Sequence, residues 1–170
     1  AYKDLAAVAG RAVIIATDTA LRPLLLNGIV PQLVVALDPS ELNARHFFSL
    51  PETSGTWLVA ESALDPRAAA VFAGRTLWWR ASDHQPWPWL RQLGAGDGHL
   101  DVWGSVLTAA FQVAVLAGCD PIVAVGADVS YAGGRPYARG TTYEFDWAWA
   151  AAFGTDITTT WQSFLNRPDV

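Results

Sequence analysis

Four carboxylates stand directly after apolar runs: Asp18 follows AVIIAT, Asp38 follows LVVAL, Glu61 follows TWLVA and Asp128 follows IVAVGA. If those runs are strands of one parallel sheet, the four side chains gather at the edge where strands end and where loops and helix starts converge on ligands. Carboxylates there can hold a magnesium ion that bridges nucleotide phosphates, because magnesium takes one or two carboxylates and completes its shell with phosphate and water oxygens. A carboxylate can also serve as general base. Asp38 and Asp128 are the expected catalytic and metal-binding residues, and Asp18 is expected to face the substrate. The competing reading of Asp18 and Asp38 is structural, since an Asp before a helix caps it. Asp65, ahead of Pro66 and away from any strand end, is that device in the same chain. Glu61 ranks last of the four.

Asp128 is followed closely by SYAGGRPYARGTT, too rich in glycine for regular structure and expected to be a mobile ligand loop. Tyr131 and Tyr137 offer hydroxyls to a phosphate there, and Arg135 and Arg139 offer charge, against a plainer reading as packing and solvated surface. Gly104 and Ser105 open a long apolar helix whose free amides suit a phosphate; a Ser N-cap accounts for the same residues. His46, His84 and His99 are far apart and have no Ser or Cys partner, which favours structural or exposed roles. Walker, GxGxxG, GxSxG and HExxH motifs are absent.

The elements that must position these residues follow from five β-rich runs, at 12–16, 33–37, 56–60, 76–79 and 122–125, with helical or mixed segments between them. The runs are continuously apolar, as strands covered on both faces are. The expected fold is α/β: a Rossmann-like, doubly wound, mostly parallel sheet with helices on both faces. Helices are expected from Thr19 to Asn27, closed by Gly28; after Asp38-Pro39-Ser40-Glu41, with Asp38 as N-cap; from Gly104 to Ala117, closed by Gly118; and over 143–153. The segment 155–170 carries little pattern.

The 170 residues, 52% hydrophobic and 16% charged, suit one domain with a full core. Nine Trp and seven Phe exceed what so small a core holds, so some rings should face a groove or a partner. A net charge of -5 with 11 Lys plus Arg argues against a nucleic-acid partner. The single Cys119 allows no intramolecular disulfide, which points to the cytoplasm, and the apolar run 106–117 is too short for a membrane span. The chain lacks Met and begins at Ala1, which suggests a domain excised from a longer protein.

Three stretches together, LLLNGIVPQLVVALDPSELN, WGSVLTAAFQVAVLAGCDPIVAVGADVSY and GGRPYARGT, resemble the archaeal 6-hydroxymethylpterin diphosphokinase-like family, which includes bacterial flagellar motility accessory factors. The same pieces are similar to bacterial sialyltransferases that use a CMP-activated sugar, with Tyr131 and Tyr137 at their phosphate-binding tyrosines. The resemblance implies that Gly104 and Ser105 contact nucleotide, that Asp128 organises the loop and that Asp18 and Asp38 face the ligand. Two features depart from the pattern: no GxGPSL phosphate loop is present, and no His follows Asp128. The expectation is a transferase that takes a nucleoside phosphate, with tentative Mg2+, and passes pyrophosphate from ATP to a hydroxymethylpterin-like acceptor. Transfer from a nucleotide-activated sugar to a glycan or protein acceptor is the alternative, and a noncatalytic binding domain the third.

Overall fold

The computed structural model describes residues 2–51, 53, 55–81, 85–94, 98–101, 104–128 and 130–166. Its centre is a parallel sheet of β1 (Ile15–Thr17), β2 (Leu33–Ala36), β3 (Trp57–Glu61), β4 (Thr76–Ala81) and β5 (His99–Leu100), in that spatial order. The helices are α1 (Tyr2–Val8), α2 (Asp18–Leu26), α3 (Glu41–Ala44), α4 (Pro66–Ala70), α5 (Trp87–Gln92), α6 (Val106–Leu116), α7 (Thr142–Ala152) and α8 (Ile157–Leu165). A 3-10 turn, Arg45–Phe47, follows α3 directly.

The strands are apolar at successive positions because both faces are covered. Val34, Ala36, Leu58 and Ala60 pack with Leu21, Leu24, Leu25, Ala68 and Phe72 on one face. Val35, Val59, Trp79 and Ala81 pack with Ala109 and Ala110 of α6 on the other. The small buried side chains Ala109, Ala110 and Ala114 form the sheet-facing side of α6. This is the Rossmann-like α/β architecture expected from the chain. α6 leaves part of its face uncovered, and Trp57 and Leu77 are exposed on the same strands.

Helix ends follow local chemistry. Asp65 caps α4 by accepting from the Arg67 amide (2.8 Å), with Pro66 in the first turn. Gly118, at φ 73°, closes α6 in the left-handed region, where the Cys119 amide donates to the Ala114 carbonyl (3.0 Å).

One expected strand is not formed. Residues 122–125 make no ladder, and Val123 and Val125 are 75% and 48% exposed. Strand preference reflects the fit of a side chain to a half-buried pleated surface, and this run meets no such surface. The strand next to β4 is instead the two-residue β5, too brief to register as an apolar run. α1, α5 and α8 were likewise not anticipated; Asp156 caps α8 by accepting from the amides of Thr158 and Thr159 (3.1 and 3.2 Å). Among the described residues no helix is long and apolar enough to cross a membrane.

Candidate functional site

β1 and β2 run parallel with Thr17 opposite Val35, which brings the carboxylates that follow both strands to the same edge. Asp18 is the first residue of α2, and the N-cap is Thr17, whose hydroxyl makes no capping bond. Asp18 therefore does not cap, contrary to the structural reading. Its Oδ1 accepts from the Thr19 amide (2.7 Å), and the residue is only 4% exposed. Burial pushes its pKa up to about 6; the Thr19 bond opposes this and the charge of Asp38 adds to it.

Asp38 is half-buried, and its Oδ1 accepts from the Ser40 amide (2.7 Å). The cap of α3 is Ser40, whose Oγ accepts from the Asn43 amide (3.3 Å), and not Asp38. Glu41 does not close a capping box either, since its carboxylate binds Arg67 (2.9 Å). A short turn, Asp38 to Ser40, displaces the cap by two residues. Backbone amides thus reach Asp18 from Thr19 and from its own residue, and Asp38 from Ser40. Two carboxylates at one sheet edge, the charge of one acting on the other, are the residues here that could share a divalent cation with phosphate oxygens.

The third member of this edge was missed in the sequence. His46, in the 3-10 turn, is 2% exposed. Burial holds its pKa down to about 4, helped by the charges of Arg22 and Arg45 and opposed by Asp38. It is a neutral imidazole at physiological pH. Its Nδ1 lies 3.2 Å from the Thr142 hydroxyl, and Nε2 is buried without a partner. Nothing in the spacing of the histidines signals this, because the contact spans 96 residues.

Glu61 is as buried as Asp18 but fully engaged. It accepts from the Ser62 hydroxyl (3.0 Å) and from the amides of Ala63 (2.5 Å) and Ala81 (3.4 Å), tying β3 to β4. Asp128 is exposed in a segment without regular structure, and no hydrogen bond or ion pair among the described residues attaches it to the edge. No group of three or more metal-ligating side chains occurs among the described residues.

Ser105 caps α6, its Oγ accepting from the Leu107 amide (3.2 Å), and Gly104 precedes it at φ 79°. Both are exposed at the start of the helix that follows β5. The glycine loop, whose composition predicts mobility, packs against α7. Arg135 pairs with Glu144 (2.8 Å) and lies over Trp161, and the Gly140 amide donates to Glu144 (2.7 Å). Tyr137 stacks on Tyr143 with centroids 4.2 Å apart. Tyr131 and Arg139 remain exposed. His99 begins β5 with an exposed side chain, whereas His84 lies outside the described residues.

A family model described as 6-hydroxymethylpterin diphosphokinase MptE-like matches residues 1–134. The matched region holds the sheet, Asp18, Asp38, His46, the start of α6 and Asp128, whereas α7 and α8 lie beyond it. No curated protein and no solved structure gives a significant match.

Proposed function

Because the chain belongs to the 6-hydroxymethylpterin diphosphokinase MptE-like family, we propose that it transfers the pyrophosphoryl group of ATP to a hydroxymethylpterin-like acceptor. At family level it is a diphosphokinase-like or related transferase. The observation that carries the finer reading is the buried Asp18 beside Asp38, at one sheet edge and inside the region that matches the family.

In this reading the acceptor hydroxyl oxygen attacks the β-phosphorus of ATP. The bond from that phosphorus to the oxygen bridging the α- and β-phosphates breaks, and its electron pair leaves with AMP. The hydroxyl proton passes to the carboxylate of Asp18, whose burial makes it a stronger base than an exposed carboxylate. Asp38 would hold a magnesium ion through its second oxygen, and that ion would supply charge neutralisation on the phosphates. Ser105 and the first amides of α6 face the same sheet edge and favour the nucleotide's negative charge.

The full chain, incubated with ATP, magnesium and 6-hydroxymethylpterin, is expected to release AMP and pterin diphosphate in equal amounts, followed by phosphorus NMR. Absence of magnesium-dependent ATP binding by calorimetry, together with no acceptor-dependent AMP, contradicts the reading.

A further inference from the structure

α6, VLTAAFQVAVL, contains no charged residue. Its buried side consists of the small side chains Ala109, Ala110 and Ala114, which let it lie close on the sheet over β1 and β2. The large side chains stand elsewhere on the helix. Leu107, Phe111 and Val115, spaced by four, form one ridge, and Leu116 flanks it; all four are exposed, Phe111 by 51% and Leu116 by 74%. A helix at the surface of a soluble protein turns a polar face to water, and one that is apolar all round is a buried helix. The two polar side chains of α6 do not restore a wet face. The Thr108 hydroxyl donates to the Ser105 carbonyl (2.7 Å), and Oε1 of Gln112 accepts from the Asp101 amide (3.0 Å).

The apolar surface continues onto the sheet. Val59 and Trp79 pack on the α6 side, and two residues before each, on the same face, stand Trp57 and Leu77, both exposed. Leu77 and Leu116 line one groove of about 210 Å³ together with Trp79 and Leu100, so helix and sheet form one continuous surface. The six exposed side chains leave on the order of 600 Å² per copy in water, and two copies closing on each other remove about 1,200 Å², the size at which stable interfaces begin.

Charge selects the occupant. A partner that reads a charge pattern finds nothing to pair with on these six residues. A second copy, although its net charge is also -5, brings the same uncharged surface and buries no unpaired charge there. A ridge spaced by four is also one that packs against its own copy across a two-fold axis. We propose that the chain forms a symmetric dimer through this face, the ridge of Leu107, Phe111 and Val115 in one copy meeting the same ridge of the other, with Phe111 near the axis. The dimer does not depend on the transferase reading.

Sedimentation velocity of the full chain, from about 1 to about 100 µM, tests it. The wild type is expected to become dimeric within that range. Phe111→Glu is expected to weaken association about thirtyfold or more, with the circular dichroism of a folded chain. Leu116→Glu, at the most exposed of the four helix positions, is expected to act in the same direction. An equimolar mixture of Phe111→Glu and Phe111→Lys chains is expected to regain the dimer, because opposite charges then meet across the axis. A wild type that is still monomeric at about 100 µM overturns the dimer and leaves the face to a partner of different sequence. A dimer that survives both glutamate substitutions has its interface elsewhere and overturns the proposal too. A mixture that stays monomeric overturns the pairing of α6 on itself.

Discussion

Asp18 follows β1 and Glu61 ends β3 of the same sheet, and each is 4% exposed, but the fold treats them in opposite ways. Glu61 receives a hydroxyl and two amides and fastens β3 to β4. Asp18 receives only backbone amides, from Thr19 and from its own residue, and its pKa is pushed up to about 6. Burial alone therefore does not mark a site. The distinguishing feature is a buried carboxylate whose hydrogen bonds do not offset the loss of water, at a cost to stability that a ligand can offset.

The largest test of that contrast is Glu61→Ala. It orphans the amides of Ala63 and Ala81 and is expected to cost about 3 to 5 kcal/mol, read as a fall in the urea midpoint. Asp18→Asn should move the other way, because the amide oxygen still accepts from Thr19 while the buried charge disappears. Above pH 6 it should raise stability by up to about 3 kcal/mol. The sign follows from linkage. The folded pKa of Asp18, about 6, lies above its ordinary 3.8, so the native state holds the proton more tightly and loses stability as pH rises from 3.8 to 6. The gain from Asp18→Asn should accordingly vanish below pH 4.

His46 supplies the opposing slope. Its folded pKa of about 4 lies below 6.5, so the unfolded chain binds the proton more tightly and stability is lost as pH falls through that interval. In the wild type the two slopes oppose each other between pH 4 and 6. Asp18→Asn removes one of them, and thermal melts of the variant should drop steeply with acid where the wild type stays level. A variant that follows the wild-type profile would break the comparison. The smallest effect is expected from Ser105→Ala, which removes an exposed cap worth about 1 kcal/mol. A loss of that size with unchanged ATP affinity would make Ser105 structural only.

Much of the sheet was legible because apolar continuity and helix punctuation are local signals. The runs at 33–37 and 56–60 became β2 and β3, and Gly28 and Gly118 stand past the ends of α2 and α6 at positive φ. The same signals misled at 122–125, where an apolar run lies exposed without a partner strand. The site was half legible. Carboxylates after strands are visible in sequence, but the number of donors each receives is not, so Asp18 and Glu61 could not be separated. Capping was misassigned at Asp38 because Asp, Pro and Ser all suit a helix start, and only geometry shows that Ser40 bonds the Asn43 amide. His46 depends on Thr142 and on burial by distant elements, which no spacing encodes.

Acceptor-dependent AMP release by Asp18→Asn, measured beside its melting temperature at pH 7, tests the central claim most directly. A variant that melts higher than the wild type while losing turnover by about a hundredfold or more, as removal of a general base does, is the expected result. A variant with wild-type turnover would contradict the claim, whatever its stability.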